Sequence, residues 1–197
     1  MFLKSEHRLI LASTSVYRRE LLSRLGLEFS VAAPDIDESP LANESPLSLV
    51  RRLAQAKAAK IARDNPNAWV IGCDQAAVRG RTLLGKPLSV ILCKEQLRKS
   101  SGRRVKFLTA VSLLKVGQAT PPPAVDTTWV NFRDLDQETI ARYVEKEKPL
   151  DCAGGFKSEA LGITLFRTIE SSDPTALIGL PLIALSQLLR KAGFILP

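Results

Sequence analysis

Ser13, Ser15, Arg18 and Arg19 lie within one stretch, Leu9-Ile-Leu-Ala-Ser-Thr-Ser-Val-Tyr-Arg-Arg19, whose residue types suit the capture of an anion. An apolar run long enough for a buried strand stops at two serines. An amphipathic segment then begins with two arginines in its first turn. The unpaired N–H groups and partial positive charge of a helix start favour phosphate oxygens. Serine hydroxyls add donors, and guanidinium forks add charge-assisted, often bidentate, bonds. At about 100° per residue, Arg18 falls on the stripe of Leu21, Leu22 and Leu25, which should turn inward, and a guanidinium there needs an anion. These residues alone leave open a Ser-capped helix with a structural Arg–carboxylate pair.

Other polar residues fall where a core is expected. In the helix that begins at Pro46, Lys57 sits in the middle of the apolar arc of Leu49, Val50, Leu53 and Ile61. A lysine so placed either snorkels to a rim or reaches into a site. Asp74 follows the short apolar strand Trp69–Gly72, and the carboxyl ends of strands are where ligands bind in open α/β sheets. Beside a polyphosphate, such a carboxylate can hold a divalent cation or orient a water; otherwise it is a cap or turn former. Asp35, Asp37 and Glu38 form an acidic loop, either solvated or sharing a metal with Asp74. Lys86, in Gly85-Lys86-Pro87, adds a loop cation. No Walker-type glycine loop is present, which argues against P-loop chemistry.

The composition narrows the ligand. The chain has 197 residues, 45% hydrophobic and 24% charged, which suits a single domain over 1–197, or two closely joined lobes, with a real core. Three widely spaced cysteines, Cys73, Cys93 and Cys152, fit neither a disulfide framework nor a zinc site, and point to a reducing, cytoplasmic setting. Residues 1–8 carry both charge signs and no apolar leader core, and no stretch approaches a membrane span. The net charge of +8 admits nucleic acid, an acidic membrane or a small polyanion. Because the basic residues are dispersed and aromatics make up only 6%, a small phosphorylated ligand is favoured over nucleic acid or membrane. The only histidine, His7, precedes the first strand, which argues against histidine-based triads, general bases and metal sites.

Strand and helix alternate along the chain. Strands are expected at 9–12, 28–32, 69–72, 105–116, 127–132 and 163–169, and helices at 16–25, 46–64, 137–146 and 181–191, with a further helix through Leu97. Ser45-Pro46 is a strong helix start, and Pro121-Pro122-Pro123 reads as a loop joining two long strands.

Ser13-x-Ser15-x-x-Arg18-Arg19, Asp37-Glu38, Lys57, Asp74-Gln75, Gly85-Lys86-Pro87 and Ser101-Gly102 together resemble the Maf family of nucleoside triphosphate pyrophosphatases. Asp151-Cys-Ala-Gly154, Gly162 and Gly179-Leu-Pro181 extend the likeness over nearly the whole chain. The resemblance implies an α/β fold: a two-lobed mixed sheet with flanking helices and a central cleft, inosine-triphosphatase-like. It implies cleavage between the α- and β-phosphates of a nucleoside triphosphate with a divalent cation, Mg²⁺ or Mn²⁺, and it admits a homodimer. On these positions it assigns Ser13, Ser15, Arg18, Arg19, Lys57 and Lys86 to the triphosphate. Asp74 becomes the catalytic acid/base residue and a metal ligand, with Glu38 beside it.

Tyr17, Gln75 and Phe156-Lys-Ser-Glu159 resemble the branch that acts on 7-methyl-GTP. Methylation at N7 makes the purine cationic, so an aromatic face gains a cation–π contribution of about 0.5–2 kcal/mol. A carboxylate can accept from the guanine N1–H and exocyclic amine. The resemblance gives these roles to Tyr17 and Glu159, with Gln75 on base or ribose. Alternatives are a dTTP/UTP pyrophosphatase and a nucleotide-binding regulator of cell division. Two departures stand out. Val16 replaces a proline frequent in the first loop, and Ser89-Val-Ile-Leu-Cys93 is more apolar than the acidic helix start usual there.

Overall fold

The computed structural model describes residues 7–197; the first six residues, read above for a leader, lie outside them. In chain order the elements are β1 (Leu9–Ala12), α1 (Val16–Ser23), β2 (Ser30–Ala32), α2 (Pro46–Asp64), β3 (Trp69–Arg79), β4 (Thr82–Leu84) and α3 (Val90–Ser100). Then come β5 (Arg104–Leu114), β6 (Ala124–Phe132), α4 (Gln137–Glu147), a 3₁₀ turn (Leu161–Leu165), β7 (Phe166–Glu170) and α5 (Leu182–Lys191). The strands form a mixed sheet in the order β2-β1-β3-β5-β6-β7, with β4 on β3. Among the described residues no helix is long and apolar enough to cross a membrane.

The chain divides into two compact units. The first holds the chain up to Gln75, Thr109–Asp126 and Asp173–Pro197; the second holds Ala76–Leu108 and Thr127–Ser172.

In the first unit β1 lies parallel to both neighbours, pairing Ile10–Ala12 with Ser30–Ala32 and Leu9–Ala12 with Trp69–Gly72. Side-chain alternation sorts each strand between two cores. Leu9, Leu11, Ile71 and Cys73 pack with Leu21 and Leu22 of α1 and Leu185 and Leu189 of α5. Ile10, Ala12 and Val70 face Ala58, Ile61 and Ala62 of α2. Fully burying one such leucine stabilises the fold by about 1.5–3 kcal/mol. Both helices start as the sequence demands: Ser15 caps α1 by accepting from Arg18 N, and Ser45 caps α2 by accepting from Ser48 N.

Gly72 fixes how closely α2 approaches β3. A Cβ at this position would stand 2.0 Å from the Ala54 carbonyl oxygen and 2.7 Å from Ala58 N. Only hydrogen fits there, so helix and strand backbones meet. Two residues on, the side chain of Asp74 leaves the strand on the same face.

In the second unit β3 turns back into β4, pairing Ala77–Arg79 antiparallel with Thr82–Leu84. β6 pairs antiparallel with β7. Its core is aromatic: the rings of Phe107, Phe132, Phe156 and Phe166 meet edge-on with centroids 4.7–5.7 Å apart.

Three expectations are corrected here. The strand expected to stop at Gly72 continues to Arg79, so Asp74 lies within a strand rather than at its end. The ligand argument survives in altered form, because the parallel ladder with β1 ends at Gly72 and Asp74 lies beyond it. Residues 82–84, where no strand is expected, form β4. Residues 163–165 belong to a 3₁₀ turn, and the strand begins only at Phe166.

Candidate active site

The first unit gathers charges on the α2 side of β3. Lys57 and Asp74 are both buried, and Lys57 Nζ donates to Asp74 Oδ1 at 2.7 Å. The same ammonium lies 2.9 Å from Glu38 Oε1, whose side chain is 58% exposed. Lys57 thus snorkels neither to the rim nor freely into a site. Its ammonium lies between two carboxylates, hydrogen-bonded to Asp74 and ion-paired with Glu38. Burial pushes the Asp74 carboxyl above the ordinary aspartate range. Lys57, by charge and hydrogen bond, and Arg18, by charge, oppose that shift, while Glu38 reinforces it. A carboxylate desolvated and braced in this way suits a proton acceptor.

Glu38 belongs to a loop tied to α2. Arg52 makes a bidentate pair with Glu44, Nε to Oε1 and Nη2 to Oε2, both 2.7 Å, and its Nη2 also donates to the Ser39 carbonyl at 3.0 Å. Asp37 Oδ1 accepts from Ser39 N at 2.9 Å, a local turn that uses its charge within the loop. Asp35 and Asp37 are exposed, and among the described residues no group of three or more acidic, Cys or His side chains is arranged to hold a metal ion.

The Ser/Arg loop has the form its sequence implies. Ser13 is buried and its Oγ accepts from Ser15 N at 3.1 Å. Ser15 Oγ accepts from Arg18 N at 3.3 Å. Arg18 is half-buried and donates from Nε to the Gly179 carbonyl at 3.0 Å, which fixes the plane of its guanidinium while Nη1 and Nη2 extend beyond it. Arg19 is exposed, and Tyr17 is half-buried on the same helix.

Gln75 and Cys73 leave the opposite face of β3. Gln75 Nε2 lies 2.9 Å from Thr109 Oγ1, 2.9 Å from the Ala176 carbonyl and 3.1 Å from that of Leu177. Its amide hydrogens are therefore committed to protein acceptors, and what it offers a ligand is the acceptor Oε1. Cys73 is buried and donates to the Gly179 carbonyl at 2.9 Å; burial pushes its thiol pKa up.

Lys86 and Glu159 belong to the second unit. Lys86 is exposed between β4 and α3, and with Arg79, Gln96 and Lys99 it lines a cavity of about 250 Å³. Glu159 is exposed and accepts from Ser158 Oγ at 3.3 Å. Its loop is anchored by buried Phe156 and by the Tyr143 hydroxyl, which accepts from Lys157 N at 3.1 Å. Gly162 makes that anchor possible, since a Cβ there would lie 2.3 Å from the Lys157 carbonyl oxygen.

Two features escaped sequence reasoning. Gly72 carries no chemistry of its own, yet it sets the distance between Lys57 and Asp74. The segment 173–182 supplies carbonyls to Arg18, Cys73 and Gln75, and its only sequence signal was Gly179-Leu-Pro181.

The chain is 55% identical over 190 residues to a protein from Xanthomonas oryzae pv. oryzae named 7-methyl-GTP pyrophosphatase, covering 96% of this chain and 99% of that one. Proteins of the same name from Nitrosococcus oceani, 48% identical over 94% of both chains, and Pseudomonas aeruginosa, 51% identical over 96% of this chain and 98% of that one, are similar along their length. Among solved structures, the Staphylococcus aureus Ham1 protein has a TM-score of 0.47 and 17% identity, covering 64% of this chain and 72% of that one. The family model described as Maf-like protein matches residues 8–192, and with relatives this similar over their whole length, the chain belongs to the Maf family.

Proposed function

We propose that the chain hydrolyses 7-methyl-GTP to 7-methyl-GMP and diphosphate, and the observation that carries this reading is the buried Asp74 held 2.7 Å from Lys57 Nζ. Names given to relatives about half identical over nearly the full length support the choice of substrate.

Asp74 takes a proton from a water as its oxygen bonds to the α-phosphorus. The bond from that phosphorus to the bridging oxygen of the β-phosphate breaks, and the electron pair leaves with diphosphate. Such a reaction asks little covalent chemistry of a protein and much charge neutralisation. Arg18 and Arg19 supply guanidinium forks, Ser13 and Ser15 hydroxyl donors, and Lys57 and Lys86 ammonium groups. Two carboxylates converging on one ammonium are a donor set that a hard divalent cation accepts, since Mg²⁺ is commonly bound by one or two carboxylates plus phosphate oxygens. Asp74 and Glu38 would hold it, and when bound it would neutralise phosphate charge.

Tyr17 provides an aromatic face for the cationic methylated base. Glu159 accepts from the Watson–Crick edge of guanine, and Gln75 contributes Oε1. The test is diphosphate release across 7-methyl-GTP, GTP, dTTP and UTP with Mg²⁺ or Mn²⁺. The reading expects 7-methyl-GTP to be preferred, and Glu159→Ala to erase the preference over GTP. dTTP or UTP turned over as well as 7-methyl-GTP would overturn the substrate, and an undiminished preference in Glu159→Ala would overturn the base contact.

A further inference from the structure

Asp173 is buried at 3% exposure, carries a charge and has no place in the chemistry above. Its bonds show what it holds. Oδ1 accepts from Thr175 N at 3.0 Å, and Oδ2 accepts from Ile183 N at 2.6 Å. The second bond satisfies a backbone donor in the first turn of α5, a helix whose N-cap residue is Pro181 and has no side-chain cap of its own. The Thr175 hydroxyl stands 2.6 Å from Asp173 Oδ1 and 2.8 Å from the Leu180 carbonyl, one proton between two acceptors, and accepts from Leu182 N at 2.9 Å. One carboxylate and one hydroxyl thus bind the start of the segment 173–182 to its end.

The middle of that segment faces Arg18, Cys73, Gln75 and Thr109. The Gly179 carbonyl accepts from Arg18 Nε and Cys73 Sγ. The Ala176 carbonyl accepts from Gln75 Nε2 and Thr109 Oγ1, both at 2.9 Å, and the Leu177 carbonyl accepts from Gln75. Gly179 has φ of 132°, a conformation that a side chain would strain, so the orientation of its carbonyl depends on a backbone path available to glycine. A guanidinium held at Nε has its plane set by the acceptor it meets. Arg18 can present both terminal amino groups in a fixed fork only while Gly179 O stays in place.

We propose that Asp173, with Thr175, is a positioning residue for hydrolysis: it holds the segment 176–179 in place, and the Gly179 carbonyl aims Arg18. This rests on the reading of Arg18 as a phosphate ligand.

A double-mutant cycle on 7-methyl-GTP hydrolysis, with Arg18→Ala, Asp173→Asn and the pair, tests it. Asp173→Asn replaces one acceptor oxygen with a donor at nearly constant volume, and kcat/KM should fall about tenfold. In the Arg18→Ala background the same substitution should cost less than about twofold, because there is no guanidinium left to aim. Equal losses in both backgrounds would show a merely structural role and overturn the proposal, while the phosphate reading of Arg18 stands. An Arg18→Ala variant as active as the wild type would overturn that reading and the proposal with it. If Asp173→Asn does not fold, Thr175 decides: Thr175→Ser keeps the hydroxyl and should retain wild-type kcat/KM. Thr175→Val should lose about as much as Asp173→Asn in the wild-type background, and again little without Arg18. Thr175→Val as active as Thr175→Ser would overturn the proposal.

Discussion

Lys57 and Asp74 form a buried ion pair, Nζ to Oδ1 at 2.7 Å, on two elements whose backbones meet at Gly72. Such a pair is weak evidence for stability, because the desolvation of both charges offsets their attraction. Lys57 fixes the Asp74 carboxyl in direction and opposes the upward shift that burial imposes on it. Removing either partner should therefore have separate effects on chemistry and on stability.

Asp74→Asn should lower kcat for 7-methyl-GTP roughly a hundred- to ten-thousandfold, the range expected on loss of a general base. Asparagine can still accept from Lys57, so thermal melting should stay within a few degrees of the wild type. Lys57→Met, by contrast, leaves a buried carboxylate without its hydrogen-bonded cation and should destabilise the fold by about 3–5 kcal/mol. Diphosphate release and calorimetry on the two variants check the contrast. Wild-type activity in Asp74→Asn would exclude the carboxylate from catalysis.

In the metal-free protein, the Asp74 carboxyl should titrate above the ordinary aspartate range, because burial dominates its shift. The sign of each neighbour follows from its charge. Glu38→Gln removes a like charge and should move the midpoint down. Lys57→Met removes the opposite charge and should move it up, by more. For a carboxyl raised on folding, the stability it contributes is present below its unfolded value and lost as pH rises through the folded one. Carboxyl ¹³C NMR of the three proteins reads the midpoints directly, and an upward move in Glu38→Gln would contradict the arrangement.

Glu44 behaves in the opposite sense. Its hydrogen bonds from Arg52 lower its pKa from 4.5 to about 2. A depressed carboxyl contributes stability that is present above its unfolded pKa and lost as pH falls through the folded one. The difference in Tm between the wild type and Glu44→Gln should therefore be steady near neutral pH and shrink between about 4.5 and 2. The Glu44 side chain is only 7% exposed, so added salt should change the difference little. A Tm difference independent of pH over that window would assign the effect of Glu44 to something other than its charge.

The sequence carried different parts of this architecture with different clarity. The start of α2 was legible because Ser45 caps and Pro46 fits the first helical position, both local effects. Lys57 and Asp74 were legible as anomalies, polar residues where an apolar pattern leads, but not as a pair, since 17 residues separate them. β3 was cut short because Cys73-Asp74-Gln75 reads as the end of an apolar run. In the fold the three are buried or half-buried, satisfied by Gly179, Lys57 and the 176–177 carbonyls, partners that only tertiary structure supplies. The 173–182 segment was opaque for the same reason, because its chemistry lies in backbone carbonyls that no side chain announces.

Gly72→Ala is the sharpest test of how backbone packing serves the site. A methyl at this position would stand 2.0 Å from the Ala54 carbonyl oxygen, 2.7 Å from Ala58 N and 2.9 Å from Ala58 Cβ. The first two atoms are backbone, so no side-chain rotation relieves the contact and α2 must move off the strand. Overpacking of this kind costs about 1–3 kcal/mol or more. Ala58 neighbours Lys57 on the helix, so the displacement should also lengthen the bond between Lys57 and Asp74. The variant should melt several degrees lower and, at a temperature where it is fully folded, should also lose kcat. Small residues on the helix offer a way to separate the two effects. Ala58→Gly in the Gly72→Ala background removes one of the three clashing atoms and should recover part of the lost stability. The Ala54 carbonyl remains in the way, so catalysis should recover less than Tm does. Full activity in a folded Gly72→Ala protein would mean that the Lys57–Asp74 distance does not depend on the close approach of helix and strand.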